Sequence, residues 1–197
     1  MNEHALLIDL EQQAFFAALP DPEEEQSLVP AGKMIAPLMK PGSGEARLLE
    51  EIGGLYSCDD RSPGDFPFYP VPALILLAED ETGTVYGLIG SCDETALVGF
   101  VTLEGVFGQA AGNLADFLRM AVFCPGWQRA LREGLPLPGP VFSPERQQLA
   151  SLLSLHWEEM TAGRLGWREP PGFQLYVSRQ QAAEQWRFTD DDFWKRG

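Results

Sequence analysis

The sequence predicts an α+β fold: a central antiparallel sheet, with a meander at about 73–103, flanked by helices and followed by a C-terminal helical appendage. Three observations lead there. The first is a set of three short apolar runs, 73–78 (ALILLA), 84–90 (TVYGLIG) and 96–103 (ALVGFVTL), joined by Glu79-Asp80-Glu81-Thr82-Gly83 and Ser91-Cys92-Asp93-Glu94-Thr95. Connections this short suit antiparallel hairpins, because a parallel crossover needs a dozen or more residues. The second is a helical stripe, Leu114, Phe117, Leu118, Ala121 and Val122, at the i, i+3, i+4, i+7, i+8 spacing of one buried face. The third is size: a chain of 197 residues that is 45% hydrophobic has enough apolar material for a sizeable core.

The elements follow in order. Residues 5–19 (ALLIDLEQQAFFAAL) predict an amphipathic helix that Pro20 and Pro22 end. Prolines and glycines through 23–44 restrict that stretch to short helix at most. Residues 45–52 (EARLLEEI) predict a short helix with Leu48, Leu49 and Ile52 inward and Gly53-Gly54 as its stop. Residues 56–72 read as a loop. In the sheet both alternating sets are apolar, Leu74 and Leu76 against Ile75 and Leu77, so both faces are expected to be at least partly covered. Asn113 is a good N-cap for helix 114–123, with Asp116 in the first turn, and Pro125-Gly126 stops it. Pro136, Pro138, Gly139 and Pro140 form a hinge-like segment. That divides an α+β domain, 1–135, from a mostly helical extension, 136–197, packed on it. In the extension, Ser143-Pro144 supplies an N-cap and an N1 proline for a helix to about Ala162, ended by Gly163. Residues 173–177 (FQLYV) predict a strand, and Ser178 with Gln181 a capping box for a last short helix. The five tryptophans, Trp127, Trp157, Trp167, Trp186 and Trp194, are expected to anchor the extension on the core.

Charge bounds the function. Residues 1–120 hold 20 acidic and 5 basic side chains, a difference of −15, whereas residues 121–197 hold 9 of each. Such a field repels nucleic acid and anionic membranes and speeds encounter with basic partners. No apolar run approaches the roughly 18–20 residues that span a bilayer. Acids rather than basic residues precede the first apolar stretch, so no signal peptide is expected. Cys58, Cys92 and Cys124 are odd in number and widely spaced, which favours a reducing interior and a cytoplasmic location.

Catalytic signatures are weak. Gly42-Ser43-Gly44-Glu45-Ala46-Arg47 begins like a dinucleotide fingerprint, but its sixth position is arginine and no strand precedes it. Asp80, Thr82 and Thr84 share the spacing of a calcium loop, yet Val85 stands at its glycine position and Ser91 at its bidentate acid. His156, expected on the 144–162 helix, has Met160 four residues on instead of a second histidine for zinc. Cys58 precedes Asp59 and Asp60, acids that would raise a thiol pKa and disfavour activation. No cofactor and no metal is expected.

Residues 51–122 run in a recognisable order. A short helix ends in Ile52-Gly53-Gly54-Leu55-Tyr56. An aromatic and proline entry follows, Phe66-Pro67-Phe68-Tyr69-Pro70-Val71-Pro72. Then come a strand and acidic turn, a second strand with Val85-Tyr86-Gly87-Leu88, and a return strand leading into Asn113-Leu114-Ala115-Asp116-Phe117-Leu118. This order, over a little more than a third of the chain, resembles the SUKH superfamily, the domain of cell-wall-assembly regulators and of many bacterial immunity proteins. Ile52 stands where that family often has an asparagine. The resemblance implies an antiparallel sheet flanked by helices and binding in place of catalysis, with no catalytic residues to carry over.

The functional expectation is a non-enzymatic protein-binding module. It is an immunity-type protein neutralising a toxin, such as a basic nuclease, with a basic protein as partner and neither nucleic acid nor membrane. The alternatives are a regulatory adaptor for a host protein and a small enzyme using Cys58 or a carboxylate pair. Successive hairpins place their turns at opposite ends of a sheet. Asp93 and Glu94 are therefore expected at one end with Asp59, Asp60 and Asp65 of the loop feeding the first strand. These five are the candidate partner-binding residues, with the Glu79-Asp80-Glu81 turn at the far end.

Overall fold

The computed structural model describes residues 34, 36–39, 42–58, 69–91, 93–160, 165–168 and 173–176. Among the described residues two short helices come first, α1 (Ala36–Met39) and α2 (Gly44–Leu48), the second running into a π-helical turn at Leu49–Gly53. Ser43 caps α2 by accepting from the Ala46 N–H at 3.0 Å, and Gly54, with φ of 65°, closes the turn as the sequence predicts. The strands are β1 (Tyr56–Ser57), β2 (Tyr69–Val71), β3 (Leu74–Glu79), β4 (Val85–Ile89), β5 (Val98–Val101) and β6 (Phe107–Ala111). Then come α3 (Leu114–Phe123), α4 (Trp127–Glu133), α5 (Pro144–Leu152), a 3-10 turn at Trp157–Glu159, β7 (Leu165–Arg168) and β8 (Gln174–Tyr176).

The fold is α+β. Six strands form one sheet in the order β1-β3-β4-β5-β6-β7, every neighbour antiparallel, and β2 pairs with β8 in a second, two-stranded sheet. The meander runs one strand beyond the expected 103, because Phe107–Ala111 returns along β5. Register assigns the faces. Ala78, Tyr86, Phe100 and Gly108 lie across from one another and share a face, while Glu79, Val85, Val101 and Phe107 share the other.

Helix α3 covers the first face. Its Leu114, Phe117, Leu118, Ala121 and Val122 are all fully buried. The rings of Tyr86, Phe117 and Trp127 meet with centroids 5.0–5.4 Å apart. Trp127 is thus a core residue of the first part rather than an anchor of the extension, and its indole N–H donates to the Gly53 carbonyl at 3.0 Å. Among the described residues Trp157 links the extension to the core, edge-on to Phe123 at 5.7 Å. The second face is covered too: Leu74, Val85 and Val101 are buried with Phe173, and Leu76, Ile89, Phe107 and Leu175 pack around them. Coverage of both faces is what the doubly apolar strands call for.

The extension interlocks with the first part. Its β7 joins the main sheet beside β6, and its β8 completes the second sheet. Ser143 and Pro144 start α5 as expected, with Ser143 Oγ accepting from the Arg146 N–H at 3.4 Å. The expected continuation to about Ala162 is corrected: α5 ends at Leu152. Ser154 takes a φ of 56°, and the Leu155 N–H returns to the Ala150 carbonyl at 2.8 Å. This reversal buries both Leu153 and Leu155, which a continuous helix two residues apart would point in different directions. His156 therefore lies exposed beyond the helix, not on it. The helices expected at 5–19 and after Ser178 lie outside the described residues, as do Trp186 and Trp194. Among the described residues no helix is long and apolar enough to cross a membrane.

Candidate partner-binding surface

Exposed acids stand at both ends of the sheet. One end holds the β4–β5 connection, residues 90–97. There Ser91 Oγ accepts from the Asp93 N–H at 3.1 Å, and the Asp93 carboxylate accepts from the Thr95 N–H at 2.8 Å. Asp93 is exposed, and the Thr95 backbone bond, followed by that of the Thr95 hydroxyl, holds its carboxyl below the usual range. Glu94 is only half exposed. Its carbonyl accepts from the Leu114 N–H at 2.9 Å, fastening the connection to the start of α3, and its Oε1 is buried without a hydrogen-bond partner. Of the five predicted binding residues the structure thus describes these two, adjacent at one end. Asp59, Asp60 and Asp65 lie outside the described residues.

The other end is built from two turns of the same kind side by side. In β3–β4, the Asp80 N–H donates to the Thr84 carbonyl and the Gly83 N–H to the Asp80 carbonyl, both at 2.9 Å. In β5–β6, the Thr102 N–H donates to the Val106 carbonyl at 2.8 Å and the Gly105 N–H to the Thr102 carbonyl at 3.0 Å. Each is a three-residue hairpin loop closed by a left-handed glycine, Gly83 at 77° and Gly105 at 81°. In each, the residue opening the loop turns its side chain inward to accept from the N–H four residues on: Asp80 from Thr84 at 3.1 Å, Thr102 from Val106 at 3.1 Å. The tips touch, since a Cβ on Gly83 would lie 3.0 Å from Leu103 Cδ1.

Asp80 is the hub that sequence reasoning missed. Expected only as part of the acidic Glu79-Asp80-Glu81 turn, it is 4% exposed. Its Oδ1 accepts from the Thr82 N–H at 2.9 Å and the Thr82 hydroxyl at 2.6 Å, as well as from Thr84. Its Oδ2 accepts from the Tyr86 hydroxyl and from Arg132 Nη1, each at 2.8 Å. Burial, and then the Asp80 charge, push the Tyr86 hydroxyl well above its ordinary pKa, so it remains a donor. The spacing of Asp80, Thr82 and Thr84, which looked like a fragment of a calcium loop, was the available signal. Its physical content is an aspartate turn whose oxygens are taken up by protein donors.

A second buried ion pair holds α3. Asp116 accepts from Arg119 Nη1 at 2.9 Å, and Arg119 also pairs with Glu159 of the 3-10 turn. Cys58 is buried, and burial raises the Cys124 thiol to about 11. Among the described residues no group of three or more His, Cys, Asp or Glu is placed to hold a metal ion. No family model, no curated protein and no solved structure matches this chain.

Proposed function

We propose that this chain is a protein-binding module of the immunity type, which engages a basic protein and blocks it, a cationic nuclease being the kind of toxin that fits. The observation that carries the reading is the segregation of charge: the −15 lies wholly within residues 1–120. A nuclease surface must be cationic to hold phosphates, and an acidic partner both steers towards it and competes for the same groups. The resemblance of residues 51–122 to the SUKH superfamily supports the same reading. Its enzymatic rival has little to work with in the described thiols. Cys58 is buried, and a Cys124 thiol near 11 stays protonated at neutral pH.

The test is affinity capture from the native organism at low and high salt, with identification of what is retained and an activity assay on the purified partner. A basic protein held at low salt, weakened by added salt and inhibited on binding supports the proposal. A basic partner whose activity is untouched favours the regulatory adaptor instead. A neutral or acidic partner held equally well at both salt concentrations overturns the proposal.

A further inference from the structure

The twin-turn end of the sheet carries three of the large apolar side chains that the fold leaves exposed: Leu103 at 49%, Val106 at 43% and Tyr56 at 40%. Leu103 and Val106 flank the β5–β6 loop. Tyr56 stands on β1, opposite Glu79, at the same end of the sheet. Between and beside them the exposed carboxylates are Glu81 and Glu104, one on each turn. Among the described residues no cation pairs with either, and the nearby Arg132 already spends its charge on Asp80. The backbone beneath is fixed by the inward Asp80 and Thr102 bonds, so the tips are held without a partner and lose little freedom on meeting one. At the other end, Asp93 is bound to its own loop and Glu94 is half buried, with no large apolar side chain exposed among the described residues there.

Resting on the reading that the partner is a basic protein, we propose that it docks on the twin-turn end: Leu103 and Val106 form the apolar centre, Tyr56 flanks it from β1, and Glu81 and Glu104 meet lysine or arginine around it. The assignment moves the docking surface to the end of the sheet opposite Asp93 and Glu94. Interfaces of this kind place apolar anchors centrally and charges at the edge, where they act on association. Charge selects the occupant: an apolar patch edged by uncompensated carboxylates disfavours an acidic chain and favours one that presents apolar residues among cations.

The experiment uses the full chain, isotopically labelled, and three synthetic peptides. One is basic and amphipathic, built of arginine, leucine and tryptophan. One is basic and polar, built of arginine and serine at equal charge. One is acidic and amphipathic, built of glutamate, leucine and tryptophan. The basic amphipathic peptide is expected to bind most tightly and to shift amide resonances at Tyr56, Glu81–Gly83 and Leu103–Val106. Leu103→Ser with Val106→Ser should weaken it about tenfold, the equivalent of about 1.4 kcal/mol. The exposed Leu152→Ser on α5 should leave its affinity unchanged. Shifts centred on Asp93–Thr95, or on the exposed Val141 and Phe142, overturn the docking assignment and leave the cationic-partner reading standing. So does unchanged affinity in the Leu103/Val106 double variant. Equal binding of the acidic amphipathic peptide, or no binding by either basic peptide, overturns both.

Discussion

The two ends of the central sheet are alike in charge and unlike in construction. At the β4–β5 end, Asp93 accepts a hydrogen bond from within its own connection and remains in solvent, and Glu94 is held by its main chain against the start of α3. At the twin-turn end, Asp80 leaves the surface. It gathers Thr82, Thr84, Tyr86 and Arg132, and so joins the β3–β4 turn to the core and to α4. The lesson is that carboxylates near a turn do not measure the charge that turn presents. One inward aspartate converts a polar loop into a rigid support, and the residues left outside, Glu81 and Glu104 with Leu103 and Val106, define the surface.

The sharpest way to break this comparison is to remove the hub. Asp80→Ala leaves Arg132 without its carboxylate and the Tyr86 hydroxyl buried without its acceptor. Losing one partner of a buried pair costs about 3–5 kcal/mol, here towards the lower end because Arg132 is 29% exposed. Urea denaturation should show it, with amide exchange accelerated first in residues 80–86 and 102–106. Asp93→Ala, in the same assay, should leave the midpoint within error. Equal losses from the two substitutions would mean that the ends are not built differently.

A core truncation sharpens the comparison from the opposite side. Leu118 on α3 is fully buried beneath the sheet. Leu118→Ala should cost about 3 kcal/mol through the cavity it leaves, and it should raise exchange at both ends together, since both rest on α3. A loss below about 1 kcal/mol would show that this face closes over the gap without needing the leucine.

Much of this was legible in the chain itself. The three apolar runs became β3, β4 and β5, and Asn113 and Ser143 cap the helices they were expected to cap. Local chemistry decides those features. What escaped was set by distant partners. Strand β7 exists because β6 offers it an edge, and α4 begins at Gly126 with no capping side chain, so it leaves no local signal. The stop of α5 at Leu152 depends on where Leu153 and Leu155 find the core. For the candidate surface, the acids were visible as residue types, but their availability was not. Whether Asp80 faces solvent or Arg132 is decided by a partner 52 positions along the chain.

The glycines of the twin turns offer a smaller test. Gly83 and Gly105 both sit in the left-handed region, where a Cβ costs about 1–2 kcal/mol. Gly105 has open space around it, so Gly105→Ala should show the backbone cost alone. Gly83→Ala should exceed it, because its new methyl also meets Leu103, which must shift. Thermal denaturation of the two variants side by side decides this. If Gly105→Ala proves the more costly, the two tips do not touch in solution as described.

The smallest expected effect lies at the other end and concerns Asp93. The Thr95 N–H donates to its carboxylate, and a donor to the charged form favours that form, so the folded-state pKa lies below the ordinary aspartate value of about 3.9. The sign follows from linkage. A carboxyl whose pKa is depressed by folding contributes stability that is fully present above the unfolded value and is lost as pH falls through the folded one. The contribution should therefore be flat from neutrality down to about pH 5 and disappear only in stronger acid. Carbon-detected titration of the side-chain carboxyl should place the Asp93 midpoint below the ordinary aspartate value. Thr95→Val removes the hydroxyl and keeps the N–H, so the midpoint should rise only part of the way back, the backbone bond being the larger cause. An Asp93 that titrates at the ordinary value in the unmodified chain would mean that its loop opens in solution. The carboxylate would then be free to meet a cation, and the contrast between the two ends would lose its footing.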